Sequence, residues 1–572
     1  HTCGIKMQLV SNSKENLSKD HKECIMKAVN FLKDGKILVI KNTSGYLLCC
    51  DAKKPDVINL LRQKKHRPEK PFAVLYDSLG AIENDFDISS LEKDALISRV
   101  APIVILDDTK KTSIAVKSIA PNLSQTGVML PSSALLELLM AEMKSPIVAT
   151  SGNLHGSPII SDEYDAQKKL NNVADYFLHH NLNINFPQDD SVMRFSNHNK
   201  IILRRSRGLA PNYINAKTSS DKTVLAMGAD LKSTFTFVPN TQTYVSQYFG
   251  NLENYEVLQR YKTTIYQYVK MFETYPQTIL VDKHSAYQST ILGKELGSKW
   301  KVEVKEIQHH KAHFASVLGE HELFSSSEKI LGIVWDGTGL GDDKQIWGGE
   351  FFTYQNHTME RLTHIEYFDW LANDKMSKEP RIALFCLLNN AHKNEYKHKF
   401  SNTEWSVYTR MLHSNTLKTS SVGRLFDAVA SALDITDKNS YEAEASMRLE
   451  NYAISYTGSD HIDFLHGENY DKVPSLYLVN AIVKAYKAGI KKERIAHSFI
   501  FTLAKSILKI AKDYSFKTVA CSGGVFQNEL LVSILQNMAN QDGINLKLNC
   551  KLSPNDENLS FGQLMYNQNI KN

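Results

Sequence analysis

The 572-residue sequence predicts an α/β protein built in two successive parts. Three observations lead there. In the first part, short β-branched runs (KILVI, FAVLY, PIVIL and SPIVA) alternate with helical stretches and are bounded by Pro, Gly or polar residues. A small polar stretch, NAKTSSDK (215–222), then separates two apolar regions and reads as a linker. After it the pattern restarts. Three consecutive strands with tight connections, TVLAMGA, STFTFVP and TYVSQYFG, precede helices and further strand–turn units.

Composition narrows the function. Hydrophobic residues make up 42% and charged residues 23%, the balance of an ordinary globular chain long enough for a sizeable core. A net charge of +5 is too mild on this length to argue for nucleic acid. No apolar run approaches the ~20 residues that span a bilayer, so no membrane partner is expected. The seven cysteines (Cys3, Cys24, Cys49, Cys50, Cys386, Cys521, Cys550) form no C-x-x-C pair and no framework spacing. That points to a reducing, cytoplasmic compartment.

In the first part, RQKKHRPEK concentrates six basic residues, His66 among them, from Arg62 to Lys70 and leads into an apolar strand. Pro68 within it and Pro71 just after it stiffen it, which suits a phosphate-binding wall; the alternative is a solvated face. ATSGN follows a strand and offers Thr150, Ser151 and Asn153 as short hydrogen-bonding groups. DDSVMR and ILRRSRG add Asp190, Ser191, Arg194, Arg205 and Arg207. Arginine suits bidentate recognition of phosphate or carboxylate, although each one alone reads equally as a surface ion pair.

In the second part, GADLKSTFTF puts Lys232 in a turn between two strands, within reach of a phosphate or simply as a hairpin lysine. IQHHKAHFASVLGEH holds four histidines in fifteen residues. On a helix, His309 and His313 share a face, as half of a metal site or as a polar surface. Asp336 closes the apolar strand LGIVW and opens a Gly-rich turn, a place for metal or phosphate work or a turn satisfying its own backbone. GRLFDAVA spaces Gly423 and Asp427 four apart on a helix, with Asp427 among apolar neighbours. CSGGVFQN reads as strand end, Gly-Gly turn and helix start, where Ser522, Gly523, Gly524 and Asn528 could meet an anion.

Five segments, QHHKAHFASVLGEH, DGTGLGDDKQIWGGEF, SSVGRLFDAVASALDI, YEAEASMRLE and CSGGVFQN, together resemble the HypF family of carbamoyltransferases, which serve nickel–iron hydrogenase maturation. The first part adds the family's K-x-R-P-x-K-P run, S-x-N turn and R-R-x-R-G strand end, in order. The resemblance implies a YrdC-like α/β domain (21–215) followed by a two-lobed actin-like (ASKHA) ATPase-fold domain (222–572). It also implies ATP-dependent formation of carbamoyl adenylate from carbamoyl phosphate or carbamate. The carbamoyl group would then pass to the C-terminal cysteine of a HypE-like acceptor protein. Implied cofactors are ATP, magnesium and one divalent metal, zinc or iron. Carried over residue by residue, Lys65, Arg67, Lys70 and Arg205 serve catalysis in the first domain, with Ser151, Asn153 and Arg194 as nucleotide and carbamoyl contacts. Lys232, Gly423, Asp427, Ser522, Gly523, Gly524 and Asn528 would hold nucleotide in the second. His309, His313, Asp336 and Asp556 would hold the metal.

The sequence departs from the family pattern at KNTSG (family KGxGG), LPSSALL (LPYTPLH), HSAYQST (HPDYLST) and YEAEASM (YEGQAAM). HTCGIKMQLV resembles the tail of the family's zinc-finger region, with Cys3 a leftover ligand and residues 1–20 a remnant. No counterpart of the family's acylphosphatase-like domain precedes it, so the chain is expected to be a fragment or a natural short form. Two other readings stand beside this one: threonylcarbamoyl transfer to tRNA, which uses the same two fold types, and a non-catalytic nucleotide-binding scaffold.

Overall fold

The structure, a computed structural model, describes residues 4–154, 156–211, 213–214 and 222–571. Cys3 and nearly all of the linker expected at 215–222 lie outside the described residues. Backbone contacts divide the chain into two compact units. One comprises 1–212, 230–233 and 246–271; the other comprises 213–229, 234–245 and 272–572.

The first unit is organised on one mixed sheet, eleven-stranded among the described residues. All four strands expected from β-branched runs are in it: Leu38–Lys41, Ala73–Leu75, Ile103–Asp107 and Ile147–Ser151. Their apolar residues are continuous rather than alternating because both faces of the sheet are covered. Val39, Leu48, Val74 and Val148 enter one core. Their strand neighbours Leu38, Leu47, Leu75 and Ile147 enter another, on the opposite face. Met7–Ser11 pairs antiparallel with Tyr176–His180, so this sheet includes part of the stretch expected to be a zinc-region remnant.

The second unit has two sheets. The three expected strands shorten to Val224–Ala226, Thr236–Val238 and Thr243–Val245 and pair as an antiparallel meander. Thr278–Asp282 and Glu303–Ile307 extend that sheet in parallel. The other sheet centres on Ile330–Leu340, flanked by Ile346–Gln355 and Thr518–Ser522. One hydrophobic core joins them: Ala226, Val238 and Leu280 from the first sheet, Ile330, Val334 and Phe352 from the second. Phe314 and Phe561 fill it from two helices, His309–Glu320 and Leu559–Asn569. Among the described residues no helix is long and apolar enough to cross a membrane, and the six described cysteines are free thiols.

Two local expectations need correction. Asp336 does not open a turn after its strand. It sits inside the long strand Ile330–Leu340, at a register shift between Trp335 and Gly339, and the hairpin turn comes later, closed by Gly341 N–H to the Gln345 carbonyl at 2.9 Å. A bulge re-aims a side chain without ending a strand, and a sequence cannot distinguish it from a turn when both use glycine. The helix after the Gly-Gly pair also starts later, at Glu529, because Gly524–Gln527 forms a 3₁₀ turn first.

The two helices in the core of the second unit approach so closely that a Cβ on Gly562 would overlap the Ala312 carbonyl. Gly562→Ala should therefore cost about 1–3 kcal/mol by overpacking, seen as a lower denaturation midpoint by circular dichroism. Gly80→Ala, where no atom lies within 4 Å of the added methyl, should leave the midpoint unchanged or slightly raised.

Candidate metal centre

Four side chains distant in sequence converge in the second unit. His309 and His313 lie one turn apart at the start of their helix, which begins at His309 because the Gln308 side chain caps it by accepting from Lys311 N–H. Asp336 comes from the bulge, and Asp556 from the short 3₁₀ turn Asp556–Asn558 that leads into the last helix. One ligand atom from each lies within 4.8 Å of the others. Gly339 lets the bulged strand pass this close, since a Cβ there would collide with the rings of His309 and His310.

The distances identify what the cluster is shaped for. Nε2 of His309 is 3.6 Å from Asp336 Oδ2 and 3.9 Å from Asp556 Oδ1. Nε2 of His313 is 3.5 and 3.6 Å from the same two oxygens. Both nitrogens are buried and have no hydrogen-bond partner. Ligands about 2.1 Å from a tetrahedral ion stand about 3.4 Å apart. The spacing is thus long for hydrogen bonds and right for four ligands of one cation. Two imidazoles and two carboxylates suit zinc or iron. Burial opposes a charged His309 ring, but Asp282, Asp336 and Asp556 outweigh it and hold the imidazole well above its usual pKa. His313 is raised the same way by Asp336 and Asp556 against burial. Burial opposes ionisation of Asp336 in turn, yet the two imidazoles keep it well below the carboxylate range.

A second layer orients the ligands. His309 Nδ1 donates to Asp282 Oδ2 at 2.9 Å, and His313 Nδ1 to Asn558 Oδ1 at 2.9 Å. Gly524 N–H donates to Asp336 Oδ1 at 3.0 Å. Gly523 makes that approach possible at φ +102, where a side chain would strike the Trp335 carbonyl. Sequence reasoning missed Asp282 and Asn558. Asp282 did carry a signal, because it closes the apolar strand TILVD as Asp336 follows LGIVW; Asn558 carried none. His321, given no ligand role, caps the helix end, with Nε2 2.7 Å from the Leu548 carbonyl oxygen.

The residues expected to hold nucleotide in the second domain are placed unevenly. Gly524 and Gly523 have committed amides, the latter to the Pro554 carbonyl at 2.8 Å. Ser522 is fully buried and donates to Asn549 Oδ1 at 2.7 Å. Asn528 caps the following helix through Leu531 N–H. Gly423 lets its helix start against the Asp336–Gly337 backbone. Asp427 is buried, and burial pushes it up to about 6 even with Arg424 Nε 2.7 Å away, off the hydrogen-bond axis. Lys232 sits in its predicted turn, with left-handed φ 46, and belongs to the first unit.

In the first unit Lys65, Ser151 and Asn153 do meet. Lys65 is the last residue of the helix Pro55–Lys65, which His66 ends in the left-handed conformation. Its buried Nζ donates to the Ser151 carbonyl at 2.7 Å and to Asn153 O and Oδ1 at 2.6 and 2.9 Å. Burial, with Arg67 and Lys70 nearby, lowers it to about 7. Arg67 donates to the Lys70 and Pro71 carbonyls and lies over Phe72; Lys70 is exposed. Buried Arg194 reaches Gln125 Oε1 at 3.3 Å, and buried Arg205 the Ser246 carbonyl at 3.2 Å. Arg62, which sequence reasoning passed over, is the cation that shapes this loop. Its guanidinium donates to the carbonyls of Arg67, Lys70, Ser118 and Ile119.

Comparison with known proteins places this geometry. Residues 332–563 match the family "Carbamoyltransferase, Kae1-like Domain, second subdomain", and residues 219–320 match "HypF Kae1-like domain". Residues 30–206 match the Sua5/YciO/YrdC family, described as "Telomere recombination". Carbamoyltransferase HypF of Synechocystis is 35% identical over 95% of this chain and 73% of its own length. A crystal structure of full-length HypF in the phosphate- and nucleotide-bound form is 30% identical with a TM-score of 0.90, over 99% of this chain and 74% of that one. The crystal structure of T. kodakarensis HypF gives 29% and 0.91, over 99% and 76%. The fold is a YrdC-like α/β domain followed by a Kae1-like, actin-like domain, as the motifs implied.

Metal analysis tests the cluster. His313→Ala should lose a stoichiometric divalent metal that the unchanged chain retains, and Asp282→Asn should weaken its binding about 10- to 100-fold. His321→Ala should leave binding unchanged.

Proposed function

The chain belongs to the HypF family of carbamoyltransferases, and from that premise we propose that it transfers a carbamoyl group, activated by ATP, to the C-terminal cysteine thiol of a HypE-like protein in hydrogenase maturation. Carbamate, formed when water hydrolyses carbamoyl phosphate and inorganic phosphate leaves, attacks the α-phosphorus of magnesium-bound ATP through a carboxylate oxygen, and pyrophosphate leaves. The acceptor thiolate then attacks the carbamoyl carbon of the resulting adenylate, the bond to AMP breaks, and a thiocarbamate and AMP are formed.

The observation that carries this reading is the buried set of His309, His313, Asp336 and Asp556 with partnerless ring nitrogens. These four would hold the divalent metal, whose chemistry when bound is Lewis-acid polarisation of a carbonyl. Activation is assigned to the first unit. There Lys65 holds the Ser151–Asn153 turn in place with a charge that an arriving polyphosphate would stabilise. Arg67 stiffens the RPEK loop beside it, and Arg194 and Arg205 add buried positive charge.

Separating the half-reactions tests the assignment. His313→Ala should abolish labelling of the thiol acceptor while keeping carbamoyl-dependent pyrophosphate release; retention of both would refute it, and labelling of tRNA instead of the thiol would redirect it.

A second test uses Lys65. With the amine near 7 in the free protein, a bound triphosphate raises its pKa, so ATP binding at pH 8 should take up protons. Calorimetry in buffers of different ionisation enthalpy should detect that uptake, and Lys65→Met should remove it.

A further inference from the structure

We propose that the side-chain oxygens of Asn42 and Gln188 are specificity-determining groups of the activation step, receiving the two N–H bonds of the carbamoyl amino group. The inference rests on the activation reading above. It adds what tells a carbamate from an acid of the same shape.

The place follows from the sheet of the first unit. The strand Leu38–Lys41 turns at 42–45, closed by Asn42 N–H to the Gly45 carbonyl at 2.9 Å, into the strand Tyr46–Asp51. That strand pairs with Ile147–Ser151, with Leu47 opposite Ser151, and Gly152 N–H donates to the Tyr46 carbonyl at 2.6 Å. The turn that carries Asn42 is thereby set beside the Ser151–Asn153 turn that Lys65 holds. A second segment closes on it, for Gln188 N–H donates to the Ser44 carbonyl at 2.8 Å. The next residue, Asp189, faces Lys65: burial lowers the Lys65 amine, and the Asp189 carboxylate acts to raise it.

Two acceptors in this place lack donors. Asn42 is 2% exposed and Gln188 half-buried, and Asn42 Oδ1 and Gln188 Oε1 are both buried with no hydrogen-bond partner among the described residues. A carboxamide oxygen only accepts, so what each lacks is a donor. Leaving a buried acceptor unpaired is costly, and a ligand that brings donors removes the cost. Carbamate carries two N–H bonds at one end and its reacting carboxylate at the other, one N–H for each oxygen.

Asn42 also belongs to a paired departure from the family pattern. It stands at the first glycine of KGxGG, and Ser132 stands at the tyrosine of LPYTPLH. These two positions, distant in sequence, meet: Asn42 Nδ2 lies 3.4 Å from Ser132 Oγ. A side chain is gained at one where bulk is lost at the other, so the carboxamide enters space that serine leaves free. The contact turns its nitrogen toward Ser132 and leaves its oxygen for the ligand.

Acetate, with a methyl in place of the amino group, is the probe, because it keeps the shape and has no N–H. Pyrophosphate exchange into ATP is measured with ammonium carbamate and with ammonium acetate. The unchanged chain should use carbamate and reject acetate. Asn42→Leu and Gln188→Leu keep bulk and remove the acceptor. Each should raise the KM for carbamate about 10-fold, leave the KM for ATP unchanged, and narrow the preference for carbamate over acetate by a similar factor. A merely structural role would lower the rate with both acids and keep the preference. An unchanged preference in either variant that folds therefore overturns the inference. If Asn42→Leu fails to fold, Gln188→Leu, at the less buried position, decides. No carbamate-dependent exchange in the unchanged chain overturns the activation reading itself, and this inference with it.

Discussion

Two buried imidazole nitrogens without a hydrogen-bond partner set the terms for the second unit. Leaving a buried polar atom unpaired costs about 1–3 kcal/mol, and more beside a charge. Here Nε2 of His309 and of His313 both face the carboxylates of Asp336 and Asp556 across gaps too wide for good hydrogen bonds. A cation of suitable radius would resolve all four groups together. Much of the local backbone serves that meeting. The bulge turns Asp336 inward, Gly523 and Gly524 bring an amide to its other oxygen, and Gly339 lets the strand pass the histidine rings.

The first unit solves the opposite electrostatic problem. Around the Ser151–Asn153 turn and the RPEK loop it buries cations, and satisfies them with oxygen. Lys65 is surrounded by three oxygens from Ser151 and Asn153, and Arg62 by a ring of carbonyls. Oxygen dipoles offset only part of the desolvation of an ammonium, and that shortfall is why the Lys65 amine loses its proton so readily. A site of this kind gains when a polyanion arrives, just as the histidine–aspartate cluster gains from a metal. Each unit is incomplete in a sense that matches the ligand proposed for it.

Ordering inside the second unit extends past the ligands. His309 is oriented by a charged partner, Asp282, and His313 by a neutral one, Asn558. A carboxylate fixes a tautomer by itself. A carboxamide does so only if its own orientation is fixed, and the Ser553 carbonyl, which accepts from Asn558 Nδ2 at 2.9 Å, fixes it.

By itself the sequence determined the class of fold, four strands of the first sheet and the pair of histidines on one helical face. Those features are local: period, β-branching and i,i+4 spacing are written along the chain. It also determined the family, because long motifs such as QHHKAHFASVLGEH and CSGGVFQN carry their order with them. The resemblance, rather than the spacing, supplied Asp336 and Asp556. What the tertiary structure alone decided is non-local. It turned an expected turn at Asp336 into a bulge and moved the amides of Gly523 and Gly524 from an open anion site to Asp336 and Pro554. It also made Arg62, an unremarked member of a charge run, the post around which the loop is built. Each of these depends on which groups are buried together and must satisfy one another, and burial is set by contacts between residues up to hundreds of positions apart.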